Sequence, residues 1–357
     1  MTAPSWDEIR AGRLRRSWLV ERAPAERLAD VVRDVCGIHA QVAAAAELSL
    51  CARVEGIAAD DVRAALWERR ELAKAWTLRG TLHLHPADEL GLWTAARAAV
   101  VGARDYEVDG LERLDDVVAA IGAALRGRRL SREELADEVV RRVPGAPREK
   151  LASGWGYYLG DAAAAGELAF GPPQGQKVTF VHPDDWLGGG RRSWQPREAL
   201  REVARRYAAT YAPATPRAFA EWAGSRAFRA REAEALWEEI ELAEAGPPHA
   251  PARSLRLLPE YDAYVMAFRE RDELVPAEVR ELVAAHGRGR YEGPAAVPFV
   301  VRDGLCVGIW SRRRRDRRVE LEVRLALPLP RARRAELAAE ADRIGRFLGL
   351  EPVLTLA

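Results

Sequence analysis

The chain has 357 residues, 48% of them hydrophobic, and a formal net charge of +1 at pH 7. That length predicts two to four compact units with sizeable cores, and the near-neutral balance does not by itself mark a nucleic-acid binder. No apolar run of about 18 residues occurs and Met1–Arg16 lacks a signal-peptide stretch, so no membrane span is expected and the cytoplasm is the expected compartment.

Only Lys74, Lys150 and Lys177 are lysines; the other basic residues are arginines, which suit bidentate phosphate contacts. Much of that bias is what a GC-rich genome encodes, so composition leaves the partner open. Cys36, Cys51 and Cys306 form no C-x-x-C pair and read as small buried residues.

In chain order, Ala25–Cys36 places Leu28, Val31, Val32 and Val35 at helical spacing. A second helix is expected over Val42–Arg53, and a third from an N-capping Asp60 through Trp67. Leu72–Leu84 then takes strand character, with Arg79-Gly80 at the bend and Pro86 opening the next helix.

The next stretch repeats the order. Leu111–Leu125 reads as a helix, Ser131 caps Arg132–Val143 in an S-x-x-E box, and Arg148–Ala165 is a third helix. Glu167–Phe170 and Lys177–Val181 flank the turn Gly171–Gly175 as a hairpin. After a linker at Gly188–Gly190 come helices over Arg197–Ala209, Thr215–Gly224 and Ser225–Ile240, with a further hairpin expected between Ile240 and Leu258. Val297–Val301, Leu305–Trp310 and Val319–Leu325 alternate as short strands, and Pro330 begins a last helix through Leu348.

The expected fold is therefore α+β and predominantly helical. It comprises three tandem winged-helix units followed by a small C-terminal β-barrel and a terminal helix. The boundaries read as 1–105, 106–187, 191–262 and 263–357. Winged helices are mostly nucleic-acid or protein-interaction modules, with the third helix commonly in the major groove. Any one of the three could equally serve only to hold the others in place.

Searches for catalytic motifs return little: no GxSxG, Walker A loop, HExxH or helix-opening GxGxxG occurs. His83 and His85, two apart on a strand, share a face, but no third ligand is in view and no metal or cofactor is expected. One constellation remains, Cys36-Gly37-Ile38-His39-Ala40-Gln41 at a break between helices, where His39 and Gln41 can project together into a cleft. Two such side chains more often cap backbone groups at a helix junction.

Here the chain resembles a family. Val35–Val54 (VCGIHAQVAAAAELSLCARV), Ala75–Leu84 (AWTLRGTLHL), Thr215–Trp222 (TPRAFAEW), Leu257–Asp262 (LLPEYD) with Arg269–Asp272, and Leu305–Trp310 are similar to the AlkZ-like DNA glycosylases. The matches are spread in order over most of the chain. The resemblance implies three tandem winged helices plus a C-terminal β-barrel, and double-stranded DNA containing alkylated bases as the partner. It also implies Gln-x-Gln or Gln-x-Asp at the catalytic position. Gln41 matches the second residue of that motif as the water-positioning group, while His39 replaces the usual first glutamine.

The resemblance thus implies a monofunctional glycosylase acting on N7- or N3-alkylated purines, bulky genotoxin adducts among them, in repair or self-resistance. A monomer at the nucleoid is expected, with no AP-lyase step. Catalysis falls to His39 and Gln41; Arg53, Arg79, Thr81 and His83 are candidate DNA contacts. So are Arg312, Arg313 and Arg314, on an expected hairpin turn rich in arginine. Trp76, Trp155, Tyr157 and Tyr158 are expected in the core. The rival reading, prompted by His39, is a winged-helix DNA-binding or regulatory protein without catalysis.

Overall fold

A computed structural model describes residues 4–101, 114–189, 192–224, 228–242, 250–269, 271–286 and 296–357. The architecture is mixed α and β and groups the chain into two compact units. One comprises Met1–Arg63, Arg206–Ala218 and Leu242–Ala357; the other comprises Ala64–Arg205 and Phe219–Glu241. Each unit joins segments distant in sequence, because cores gather residues by packing and not by sequence proximity.

In the first unit, the helix Trp6–Arg16 begins in a reciprocal capping box between Ser5 and Glu8. It buries Ala11 and Leu14 in one core with Leu258, Phe299, Val301 and Ile309. The N-terminal helix therefore belongs energetically with the C-terminal sheet. The two-residue strand β1 (Ile38–His39) lies between the helices Leu28–Asp34 and Ala43–Cys51. The helix Ala59–Trp67 starts one residue earlier than expected. Asp61 accepts the Ala58 N–H at 2.8 Å, so Asp60 sits in the first turn and is not the cap.

The second unit opens with an antiparallel hairpin, β2 (Leu72–Trp76) and β3 (Leu82–Pro86), closed by a 3₁₀ turn at Leu78–Gly80. Next come the helix Leu90–Val101, the helix Leu114–Leu125, β4 (Arg129–Ser131), the helix Arg132–Arg142 with the expected Ser131–Glu134 capping box, and the helices Arg148–Ala152 and Leu159–Ala164. The hairpin β5 (Ala169–Gln174) and β6 (Lys177–Val181) completes a sheet of order β4-β6-β5. Ile121, Leu125, Val139, Tyr158, Leu168 and Phe180 form its core.

The continuous helix expected over Arg148–Ala165 is broken. Gly156 (φ +75°) and Tyr158 (φ +53°) turn left-handed, and a Cβ on Gly156 would lie 2.8 Å from the Trp76 ring. Only glycine lets the backbone close onto that indole.

Two expectations for residues 191–262 also change. The helix expected over Ser225–Ile240 runs only from Ala230 to Trp237, with 225–227 outside the described residues. The hairpin expected between Ile240 and Leu258 falls partly on 243–249, also outside them. Its described strand, β7 (Leu255–Leu258), pairs instead with β8 (Phe299–Arg302).

β7 and β8 continue into β9 (Leu305–Arg315), β10 (Arg318–Leu325) and β11 (Glu351–Leu356), a five-stranded sheet with β7 and β11 at its edges. Val319, Leu321 and Val323 alternate inward along β10. The parallel β10–β11 pair is linked by the helix Arg334–Leu348, as parallel strands require a crossover.

Candidate functional site

The H-x-Q segment is shaped by a left-handed helix exit. After Asp34 the chain passes through Cys36 (φ +59°) and Gly37 (φ +95°), whose N–H returns to the Val32 carbonyl at 2.9 Å. Side chains from the helix end at 210–211 hold this exit in place. Thr210 donates its hydroxyl to the Asp34 carbonyl at 2.7 Å, and Tyr211 donates to the Val35 carbonyl at 2.8 Å. The backbone thus anchored turns His39 inward, where it is 9% exposed, while Gln41 stands exposed two residues on.

The His39 ring stacks on Tyr261 with centroids 4.9 Å apart and planes 27° apart. Tyr261 has φ +58°, a conformation that costs a non-glycine residue about 1–3 kcal/mol unless its surroundings hold it. Here they do. Trp310 donates its indole N–H to the Leu258 carbonyl at 2.8 Å. Arg312 grips Glu260 at 3.0 and 3.1 Å, and Arg53 grips Asp262 through two 2.7 Å bonds. Ser49 adds a 2.7 Å hydrogen bond to Asp262, which also caps the helix Ala263–Met266. The LLPEYD segment is thus a clamp that presents Tyr261 to His39.

These contacts correct two of the candidate DNA contacts. Arg53 is fully buried and its guanidinium is committed to Asp262 and Ser49, so no phosphate can reach it. Arg312 is half-buried on Glu260. The arginine run lies mainly on β9, with the turn at Asp316-Arg317. Arg313 and Arg314 are exposed on this strand, Arg313 opposite Glu320 on β10.

Arg79, Thr81 and His83 belong to the second unit. They do not alternate along one strand, because Arg79 (φ +73°) sits in the 3₁₀ turn and β3 begins at Leu82. His83 and His85 do share a face, but Nδ1 of His83 and Nε2 of His85 each lie 3.0 Å from the Thr77 hydroxyl. His85 also stacks on Trp93 at 4.2 Å. His83 is therefore a buried internal residue, not a DNA contact, and the Thr81 hydroxyl is likewise buried. Half-buried Arg79 keeps its place at the turn. Among the described residues no cluster of three His, Cys, Asp or Glu has metal-ligand geometry.

All three cysteines are buried; burial pushes the Cys51 thiol up to about 12 and raises Cys306 as well. Neither is a thiolate at neutral pH. Trp76 and Tyr158 are core residues as expected, whereas Trp155 is 86% and Tyr157 43% exposed. The glycines on either side of Trp155 were the available signal.

Burial lowers the Lys74 ammonium from 10.5 to about 8. Between about 8 and 10.5 the unfolded chain holds a proton that the folded chain has lost, so this group's penalty is full below 8 and fades as pH rises. Lys74→Met is expected to stabilise the protein by roughly 2 kcal/mol at pH 7, with a shrinking advantage toward pH 10. Thermal melting of both proteins across that range measures it.

The solved structure of Streptomyces sahachiroi DNA glycosylase AlkZ matches over 100% of both chains, with TM-score 0.81 and 26% identity. The fold is that of a DNA glycosylase. An interstrand DNA cross-link repair glycosylase, also of Streptomyces sahachiroi, is 30% identical over 341 residues, covering 86% of this chain and 88% of the relative. The profile of the DNA glycosylase AlkZ-like family matches residues 32–347, and the chain belongs to that family.

Proposed function

We propose that this glycosylase is monofunctional and hydrolyses the N-glycosidic bond of purines alkylated at N7 or N3, with His39 and Gln41 as its catalytic pair. The observation that carries the reading is the H-x-Q segment itself: a histidine braced against Tyr261 and a glutamine open to solvent, two residues apart on an anchored loop. An N7- or N3-alkylated purine already carries positive charge and leaves without prior protonation. The protein's task is to stabilise an oxocarbenium-like sugar and place a water beneath C1′. Gln41 orients that water through its carbonyl and amide, and neutral His39 accepts a proton from it as attack proceeds. Tyr261 holds the imidazole plane.

The cross-link repair named for the Streptomyces relative supports extending the substrates to bulky and two-strand adducts. The order helix, β4, helix, helix, β5, β6 supports a winged helix in the second unit, with the β5–β6 hairpin as its wing. We assign three such units and a C-terminal barrel to the whole chain, acting as a monomer on double-stranded DNA at the nucleoid. Arg79, Arg313 and Arg314 are the proposed phosphate contacts.

Duplex DNA carrying 7-methylguanine, treated with heat and alkali after incubation, tests the reading: strand breaks at the lesion support it. Intact 7-methylguanine DNA together with intact genotoxin-treated DNA would leave a DNA-binding protein without catalysis. The rate is expected to fall as the solution is acidified, because imidazolium cannot accept a proton and repels the oxocarbenium. A flat profile down to pH 5 in folded protein would remove His39 as the titrating group.

A further inference from the structure

Between the helices Arg148–Ala152 and Leu159–Ala164 the chain forms a tip whose base is fastened and whose end is bare. Arg132 donates to the Ser153 carbonyl at 2.8 Å, and the Trp155 N–H donates to the Ser153 hydroxyl at 3.2 Å. Gly156 packs on the Trp76 indole, and Tyr158 is completely buried. Beyond these anchors Trp155 is 86% exposed, with Tyr157 beside it at 43%. Tryptophan is buried on average, and its large flat ring is favoured where a partner will cover it. A ring on a fastened loop also loses little freedom when it docks.

The surroundings select the partner. Arg132 at the base and Lys150 on the preceding helix put positive charge at the root of the tip, suited to a polyanion, while Arg148 on that helix is paired with Asp137 at 2.6 Å. The tip interrupts the third helix of a helix–strand–helix–helix–hairpin unit, the element that meets DNA in such folds. A polyanion that also offers apolar ring faces is a nucleic acid. We propose that Trp155, supported by Tyr157, is a stacking tip that covers a base face exposed where the DNA stack is interrupted. The inference rests on DNA as the polymer this family acts on, and not on hydrolysis by His39 and Gln41.

The test measures binding, so it stands apart from catalysis. Full-length wild type, Trp155→Phe and Trp155→Ala are titrated against a labelled duplex with a tetrahydrofuran abasic site and against the same duplex intact. Salt is varied from about 50 to 200 mM. Because Trp155 is so exposed, all three proteins are expected to melt together. Trp155→Ala should bind the abasic duplex about tenfold more weakly, and Trp155→Phe should recover most of the loss. The intact duplex should be little affected. The slope of log affinity against log salt should not change, since a stacked ring releases no counterions.

Equal affinity of wild type and Trp155→Ala for the abasic duplex would overturn the proposal, as would the same loss on both duplexes. Wild-type self-association abolished by Trp155→Ala in sedimentation would also overturn it, assigning the tip to contact between copies.

Discussion

Gln41→Ala is expected to lower 7-methylguanine excision by about 100-fold or more while leaving the melting temperature unchanged, because Gln41 is exposed and its proposed work is to hold a water. His39→Ala should lose at least as much activity, with a small stability cost of about 1 kcal/mol for the lost stack on Tyr261. The two losses should not add, since in the proposed mechanism both residues act on one water. Single-turnover excision assays on wild type, each single variant and the double variant decide the matter. Activity that survives in Gln41→Ala would move catalysis away from this segment. Tyr261→Phe keeps the ring and is expected to retain the rate. Tyr261→Ala should lower the excision rate with little effect on lesion affinity, because it loosens the imidazole without removing a DNA contact.

Arg53→Ala should be the most destabilising single change described here. It strands Asp262 and Ser49 in a core from which water is excluded, and breaking one side of a buried ion pair costs about 3–5 kcal/mol. For a chain of this size that is a fall of roughly 4–7 °C in melting temperature. Arg53→Met with Asp262→Leu, which removes both charges, should recover most of the stability. It should not recover excision, because the clamp that sets Tyr261 against His39 would still be lost. Thermal melting and excision, both measured well below the transition, separate the two effects. A double variant with full activity would show that the clamp is structural only.

What was legible in the sequence was mostly local. The Ser131–Glu134 box starts its helix as the S-x-x-E spacing requires, and the alternation of β10 sorts its side chains between core and solvent. The break holding His39 and Gln41 was readable from Gly37 and the flanking apolar helices. Where local signals competed with packing, packing won. The periodicity of Arg148–Ala165 is helical, yet the chain breaks so that Gly156 can close on Trp76.

The family, the helices and strands whose caps and periods are self-contained, and the pair of polar residues at the helix junction are all readable along the chain. What those residues face is set by packing between distant segments. Arg53 and Asp262 lie 209 positions apart, and no local spacing marks one as the other's counterion. The same holds for His39 and Tyr261, and for Arg312 with Glu260. An arginine reads alike in sequence whether it meets a phosphate or a buried carboxylate. The difference is how much water its neighbours exclude, and that is set when distant segments pack into one core.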